Sequence, residues 1–337
     1  MRTATELSTG PIVLLGPQSD YVEVGAVLDE LEVDGRVALV TAGWQENETE
    51  DAALAGQVRR PTINLALHAR SERAHLEQPD FAKASAQRQA HLMHLHQFYR
   101  IRLEGVDEAA HAIGVRHVDA ELLREQQSVT VEQFRHLDQD HLQRCQAAWN
   151  KFDAQWPAAE QPAIARERAA IATQIARCSA VVIAGGHVAV LLNRLRLFDV
   201  LSNLGTRPVI AWSAGAMALS DRIVLFHDSP PFGKNLSQLF DVGLGLANGV
   251  VVLPDLTRRV HTEKRDAVAR FTQRMAPAEC LGMDPGARLV FRQGRLRQAL
   301  AHRLRSSGDV ERGWRLILEL PVDRASRPQG PETRLQG

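Results

Sequence analysis

The sequence contains few cysteines, and their spacing excludes two classes of structural cross-link. Only Cys145, Cys178 and Cys280 are present among 337 residues. An odd number of widely separated cysteines predicts neither a disulfide framework nor a cysteine-based zinc site. This usage is typical of a reducing compartment, so we expect a cytoplasmic location.

The sequence also lacks an excess of either charge and any long apolar run. Its 40 basic residues balance 40 acidic ones, which argues against the broad positive surface that nucleic-acid binding requires. No stretch approaches the ~20 apolar residues of a membrane helix. The first ten residues lack the apolar core of a signal peptide. We therefore expect no nucleic-acid partner and no membrane association.

What the sequence does contain is an alternation of short apolar runs and helical segments. Residues 11–16, 36–43, 180–187 and 249–256 each predict a buried strand, and residues 21–31 have the apolar spacing of a helix. Strands that are apolar on both faces favour a parallel sheet covered by helices on both sides. Functional residues of such sheets gather beyond the carboxyl ends of the strands.

The segment from 65 to 176 differs from the rest of the chain. Glycine is nearly absent there, and apolar residues recur at helical spacing. We predict a large helical insertion between a first part of the α/β core, at 10–64, and a second part at 177–322. A disordered tail is predicted at 323–337. Packing or formation of a homo-oligomer is favoured for the insertion over a separate activity.

This insertion is rich in histidine. His91, His94 and His96 lie close together, and His136 and His141 follow. A spacing of three residues on a helix suits metal ligation, but no acidic residue accompanies these histidines at the spacing of a His-Glu-x-x-His motif. Packed or solvated histidines are favoured, so we expect no metal.

The most informative motif is an apolar run that ends at a serine between small residues. Residues 209–212, Val-Ile-Ala-Trp, precede Ser213-Ala-Gly-Ala, which is the pattern of a nucleophile elbow at a strand-to-helix turn. Ala211 and Gly215 supply the small side chains that this crowded turn needs. The N–H of Ala214, at the start of the helix, would hold an oxyanion. The alternative is an ordinary turn in which the serine caps the helix.

A glycine pair ends the strand predicted at 180–187. Gly185 and Gly186 would let the backbone approach a substrate closely, and Gly186 would supply a second N–H to the oxyanion. The alternative is a loop that needs glycine only for a positive φ.

A serine needs a base, and the base needs an acid that orients it. His261 follows the strand predicted at 249–256 and is the candidate base for Ser213. Asp228 lies between the two in the sequence and is the candidate acid. Glu263 and Asp255 remain alternatives for that third position.

Together these motifs resemble peptidase family S51, which includes aspartyl dipeptidase (peptidase E) and cyanophycinase. The family elbow usually reads Gly-Thr-Ser-Ala-Gly-Ala. Its catalytic histidine is followed at plus four and plus nine by arginines, as His261 is by Arg265 and Arg270. In the dipeptidase branch the acid lies fifteen residues past the serine, which corresponds to Asp228. The resemblance implies serine-peptidase activity with no metal or organic cofactor.

The resemblance covers residues 177–300 well and 10–50 loosely. It implies an α/β domain that is flavodoxin-like or like a class I glutamine amidotransferase. Ala211 and Trp212 stand where the family has glycine and threonine, and His187 stands where it often has asparagine or aspartate. These departures leave the three triad residue types in place and put the substrate in doubt.

Six residues are candidates for binding the substrate, which we expect to be a small peptide or amide. They are Gly185, His187, Trp212, Arg258, Arg259 and Arg265. Arginine is suited to a carboxylate because it can donate two parallel hydrogen bonds. A solvated basic cluster is the alternative for the three arginines.

The sequence therefore predicts a serine hydrolase, a peptidase or dipeptidase that cleaves small peptide amide bonds through an acyl-enzyme on Ser213. A serine at the elbow argues against glutamine-derived ammonia chemistry, because the amidotransferase relatives use cysteine there. One alternative is a non-catalytic member that binds or assembles through the helical insertion. Another is a hydrolase of a small non-peptide amide or ester.

Overall fold

Twelve strands are present in the computed structural model, which describes residues 10–19, 21–226 and 236–318. The strands are β1 (Ile12–Leu15), β2 (Val37–Val40), β3 (Thr62–Asn64), β4 (Ala180–Ile183), β5 (Val209–Trp212), β6 (Arg222–Leu225), β7 (Gln238–Val242), β8 (Val250–Pro254), β9 (Glu279–Met283), β10 (Arg288–Arg292), β11 (Arg295–Leu304) and β12 (Val310–Ile317). The tail predicted at 323–337 lies outside the described residues.

Ten α-helices lie in the same ranges. They are α1 (Val24–Glu30), α2 (Ala52–Val58), α3 (Leu67–Glu77), α4 (Pro79–Gly114), α5 (Ala120–Gln155), α6 (Pro162–Ala176), α7 (Val188–Leu197), α8 (Ala214–Leu219), α9 (Leu256–Arg259) and α10 (Arg265–Met275). None of these described helices combines the length and the apolar character needed to cross a bilayer.

Ten of the strands form one sheet, in the order β3-β2-β4-β5-β1-β10-β11-β9-β8, with β12 paired to β11. From β3 to β1 all neighbours are parallel, whereas β10 and β11 pair antiparallel with their neighbours. The predicted α/β class with a large, mostly parallel sheet is confirmed. The antiparallel pairing of β10 with β11 follows from a short connection, because a two-residue loop can only join antiparallel strands. Gln293 and Gly294 form that loop between β10 and β11, with φ of 51° and 71°, as a type I′ turn requires.

Helices cover both faces of the sheet, and successive side chains of a strand point alternately into the two cores that result. On β5, Ala211 faces a larger core that includes residues of α7 and α8. Ile210 and Trp212 face a second core with residues of α1 and α2. Burial on both sides is the reason that the parallel strands are apolar throughout.

A long helical hairpin interrupts this α/β pattern. Its helices α4 and α5 have 36 residues each and pack along each other. Asp119 caps α5 by accepting hydrogen bonds from the N–H groups of Glu121 and Leu122. The flanking helices α3 and α6 instead bury side chains in the larger sheet core, among them Leu67 and Ile171. The insertion at 65–176, taken as a separate unit, therefore stays a prediction.

A buried ionic network joins the hairpin to α10. The Arg274 guanidinium donates from Nε and Nη2 to the two carboxylate oxygens of Asp138, both at 2.6 Å. The Tyr99 hydroxyl donates to Asp138 at 2.7 Å and accepts from Arg274 at 2.8 Å. Tyr99 lies on α4 and Asp138 on α5, and both charged side chains are buried. One network thus fixes both hairpin helices against the helix that follows His261.

Removal of the buried acid should destabilise the protein strongly. Asp138→Ala leaves Arg274 without its counter-charge and should lower the free energy of unfolding by about 3–5 kcal/mol. Asp140 on the same helix pairs with Arg144 at the surface, at 2.8 Å, so Asp140→Ala should change that free energy far less. Urea denaturation followed by circular dichroism measures both. Similar losses in the two variants would contradict the importance of the network.

Candidate active site

Ser213 lies at the turn between β5 and α8 with a strained backbone. Its φ is 49° and its ψ is −121°, a region that costs a residue other than glycine about 1–3 kcal/mol. The N–H of Met217 donates to the Ser213 carbonyl at 3.0 Å, so the helix begins directly after the serine. The Ser213 side chain makes no capping hydrogen bond. The helix-cap alternative for this serine therefore lacks the contact that would define it.

Two glycines, Gly185 and Gly215, lie at positions beside this turn where a larger side chain would collide with neighbouring atoms. A Cβ atom on Gly185 would lie 2.9 Å from the Ser213 Cβ. A Cβ atom on Gly215 would lie 2.6 Å from the carbonyl oxygen of Ile183. Because β4 and β5 are parallel neighbours, the loop after β4 passes directly beside the turn after β5. Gly185, a predicted substrate contact, is thus adjacent to the candidate nucleophile.

The loop after β4 is also held against the loop after β2. Gly186 has a φ of 112°, and a Cβ atom there would lie 2.4 Å from the carbonyl oxygen of Gly43. The N–H of His187 donates to the same Gly43 carbonyl at 2.8 Å. The His187 ring is exposed and accepts a hydrogen bond from the N–H of Val190 at 3.4 Å, which caps α7. His187 thus has a structural role as the cap of α7, and its contact with a substrate stays a prediction.

Trp212 lies mostly inside the protein. It is 8% exposed and belongs to the second core of the sheet. Its Cδ1 atom lies 3.7 Å from the position of a Cβ atom on Gly185. Most of the indole therefore supports the Ser213 turn, and only a small part is accessible to a substrate.

His261 lies beyond β8 and α9, with a side chain that is 55% exposed. Its Nδ1 is 2.9 Å from Oε1 of Glu263. The backbone N–H of Glu263 itself and then His261 hold the pKa of that carboxyl below its usual value. Among the described residues, no hydrogen bond joins His261 to Ser213 or Asp255. Asp228, the acid predicted from the sequence, lies outside the described residues.

A chain of contacts brings the His261 loop to the same edge of the sheet as the elbow. β1 is the parallel neighbour of β5, and Gly16 follows β1. A Cβ atom on Gly16 would lie 2.0 Å from the carbonyl oxygen of Asp284, so the turn after β9 packs onto the end of β1. The Asp284 side chain accepts a hydrogen bond from the N–H of Thr257 at 3.2 Å. Thr257 lies on α9, four residues before His261.

The three arginines predicted to bind substrate have different surroundings. Nη2 of Arg265 lies 2.7 Å from Oδ1 of Asp309, so its charge already has a partner. Arg259 lines a cavity together with His261. Arg258 is exposed on α9. Of the three, Arg259 is therefore the one that shares a concave surface with the candidate base.

That cavity has a volume of about 150 Å³ and lies between the His261 loop and the helical hairpin. Its apolar wall includes Phe134, Phe226, Leu236, Val260, Phe271 and Leu304. Its charged residues are Arg259, Lys264, Arg270, Arg274 and Asp107. Phe134 and Asp107 come from the hairpin. Sequence reasoning missed them, because no local pattern indicates which face of a helix meets a loop more than a hundred residues away.

One group of histidine and cysteine side chains converges among the described residues, although not at this edge of the sheet. It consists of His96, His141 and Cys145. The group lies within the hairpin and against β7, and its chemistry is argued separately below.

The close approach at Gly185 predicts a specific loss of stability. Gly185→Ala forces Ser213 to move and should lower the free energy of unfolding by about 1–3 kcal/mol. A Cβ atom on Gly56, in α2, would meet nothing within 4 Å, so Gly56→Ala should instead stabilise by up to about 1 kcal/mol. Urea denaturation measures both. In a Ser213→Gly background, which removes the Ser213 Cβ, Gly185→Ala should lower the free energy of unfolding by less. An equal loss in both backgrounds would contradict the contact between residues 185 and 213.

Comparison with known proteins agrees with the resemblance drawn from the sequence. Residues 136–299 match the model of peptidase family S51, a range that includes Ser213, Asp228 and His261. The match begins inside α5, so the C-terminal part of that helix, from residue 136 onward, is included in it. No curated protein matches the sequence significantly.

Two solved structures also match this chain, both at low sequence identity. A peptidase from an acI-B1 actinobacterium is 13% identical, with a TM-score of 0.43, and the alignment covers 92% of this chain and 95% of that one. A candidate peptidase E from Listeria monocytogenes EGD-e is 12% identical, with a TM-score of 0.40 and coverage of 88% and 99%. The family match agrees with the resemblance: residues 136–299, the part of this chain that holds the elbow and the histidine, match peptidase family S51.

Proposed function

We propose that this protein is a serine-type peptidase that cleaves small peptide amide bonds through an acyl-enzyme on Ser213. The observation that carries the proposal is the strained turn at Ser213, held at a φ of 49° beside Gly185. Strain of this kind persists only where the surrounding structure imposes it, and it is concentrated at functional sites. The turn lies inside the segment that matches a peptidase family, which makes nucleophilic attack its best-supported role.

In the proposed reaction, His261 accepts the proton of the Ser213 hydroxyl as the oxygen attacks the scissile carbonyl. The N–H groups of Ala214 and Gly186 stabilise the oxyanion of the tetrahedral intermediate. His261 then donates its proton to the leaving amine, and the acyl group stays on Ser213. Water, activated by the same histidine, releases the acid and restores the enzyme.

The acid that orients His261 has two leading candidates. Asp228 has the spacing that the family resemblance implies, and we propose it as the third member. Glu263 is the carboxylate that contacts Nδ1 of His261 among the described residues, and it is the runner-up. Asp255 is less favoured because it makes no such contact there. A buried or shielded acid at Nδ1 is needed to stabilise the imidazolium in the transition state.

We further propose that the cavity beside His261 holds an apolar residue of the substrate that carries a nearby carboxylate. Its wall is mainly aromatic and aliphatic, which suits an apolar side chain. Arg259 and Lys264 supply positive charge at the same surface. A free carboxylate, as at the end of a dipeptide, is the chemical group that an arginine recognises best.

A covalent probe tests the nucleophile directly. Intact mass spectrometry after treatment with a fluorophosphonate should show one adduct on the wild type. Ser213→Ala should abolish the adduct, and His261→Ala should slow its formation by a factor of about 10² or more, because the serine loses its base. Ser202 is an exposed serine, so Ser202→Ala is the matched control and should keep the adduct. Absence of labelling on folded wild type, together with no peptide hydrolysis, would favour the non-catalytic alternative.

The same labelling assay separates the candidate acids. Asp228→Asn should slow labelling by on the order of 10³–10⁴, because the imidazolium loses its charge partner. Glu263→Gln should change the rate only slightly if its contact with His261 is a surface pair. The reverse order of effects would assign Glu263 as the third member. Circular dichroism of each variant excludes misfolding as the cause.

The role of Arg259 is tested with paired substrates. For a dipeptide with an apolar second residue, Arg259→Ala should raise KM by about tenfold or more, since a charged hydrogen bond contributes about 1.5–3 kcal/mol. For the same dipeptide with an amidated carboxyl end, Arg259→Ala should leave KM nearly unchanged. Arg265→Ala is the control, because Arg265 is paired with Asp309. Equal losses for the free and amidated substrates would contradict a carboxylate contact.

A further inference from the structure

Three metal-ligating side chains from distant parts of the sequence meet inside the helical hairpin. His96 belongs to α4, and His141 and Cys145 lie one turn apart on α5. Their ligand atoms all lie within 4.8 Å of one another. His141 and Cys145 are buried, at 2% and 0% exposed, whereas His96 is half-buried. A histidine–histidine–cysteine set is a donor combination that suits zinc.

Both histidines have a second partner in the backbone of β7. Nε2 of His96 makes a short contact with the carbonyl oxygen of Phe240. His141 also interacts with backbone groups of Leu239 and Phe240. A metal-ligating histidine almost always donates its other ring N–H to a carbonyl or carboxylate, which fixes the tautomer and the ring orientation. With Nε2 of His96 used in this way, its Nδ1 keeps a free lone pair.

The spacing of the donors matches a shared ion. Sγ of Cys145 lies 3.6 Å from Nε2 of His141. A tetrahedral zinc ion with Zn–S near ~2.3 Å and Zn–N near ~2.0 Å places two such atoms about 3.5 Å apart. We propose that His96, His141 and Cys145 form a zinc site that joins α4 to α5.

Binding is balanced by release of a proton. Zn²⁺ replaces the hydrogen of the Cys145 thiol, a Zn–S bond forms, and one H⁺ leaves to solvent. Three protein ligands leave a fourth position for water. Asp241, the next residue of β7, does not supply it here, because its Oδ2 accepts from Nε1 of Trp149 at 3.0 Å and lies 3.5 Å from Nη1 of Arg196.

This site would stabilise the hairpin and would not take part in hydrolysis. The ligands come from α4 and α5, and their backbone partners come from β7. The ion would thus act beside the network of Tyr99, Asp138 and Arg274, which joins the same two helices to α10. The proposal is independent of the peptidase activity. Ser213→Ala should bind the metal as the wild type does.

Cobalt substitution of the full-length protein is the test. The metal-free wild type should take up one equivalent of Co²⁺, with a sulfur-to-cobalt charge-transfer band and the visible bands of a tetrahedral ion. Cys145→Ser should lose the charge-transfer band. His96→Asn should weaken binding by at least tenfold, and because His96 is half-buried this variant should still fold. Zinc should raise the Tm of the wild type and not that of these two variants.

Matched controls are present in the same chain. His94 is exposed two residues before His96, and Cys178 is a buried thiol that donates to the carbonyl of Gln174. His94→Asn and Cys178→Ser should bind cobalt as the wild type does. The proposal is overturned if folded wild type takes up no cobalt or zinc. It is also overturned if Cys145→Ser and His96→Asn bind as tightly as the controls, which would leave the three side chains as neutral packed groups.

Discussion

The structure of the candidate site depends on one close approach, that of the loop after β4 to the turn after β5. Parallel pairing holds the two strands about 4.8 Å apart, in a register that sets Ile183 beside Ala211. The residues that leave the strands must therefore pass within contact distance. Gly185 leaves room for the Ser213 side chain, and the following helix α8 leaves the serine backbone little freedom. The strained φ of Ser213 is thus imposed by the sheet.

The histidine side of the site has a different origin. His261 lies in a loop between α9 and α10, and within the described ranges the contact of its exposed side chain is a surface pair with Glu263. What fixes α10 is its far end, where Arg274 is buried against Asp138 and Tyr99 of the hairpin. The hairpin also contributes Phe134 to the cavity beside His261. The position of the candidate base therefore depends on helix packing, whereas that of the candidate nucleophile depends on strand pairing.

This difference explains what the sequence could predict. Residues 11–16 and 209–212 are apolar on both faces, so burial alone identifies β1 and β5, and the small residues around Ser213 indicate the turn. The antiparallel strands β11 and β12 have one exposed face, and their apolar pattern is weaker. The convergence of His96 with Cys145 was not predictable, because it depends on the register of two helices. Spacing along one helix pointed instead to His91 and His94, which are exposed.

The two arginines that follow His261 at plus four and plus nine differ in their acidic partners. Arg265, at plus four, is exposed and paired with Asp309. Arg270, at plus nine, is less exposed, lines the cavity and lies 3.8 Å from Asp107 of the hairpin. Among the described lining residues, Arg274 is paired with Asp138, and Asp107 alone does not offset the charges of Arg270, Arg259 and Lys264, so basic side chains outnumber acidic ones around the cavity. Because charges are less screened in a partly buried cleft than at the surface, this excess of basic side chains supports the proposal that a substrate carboxylate lies beside the candidate base.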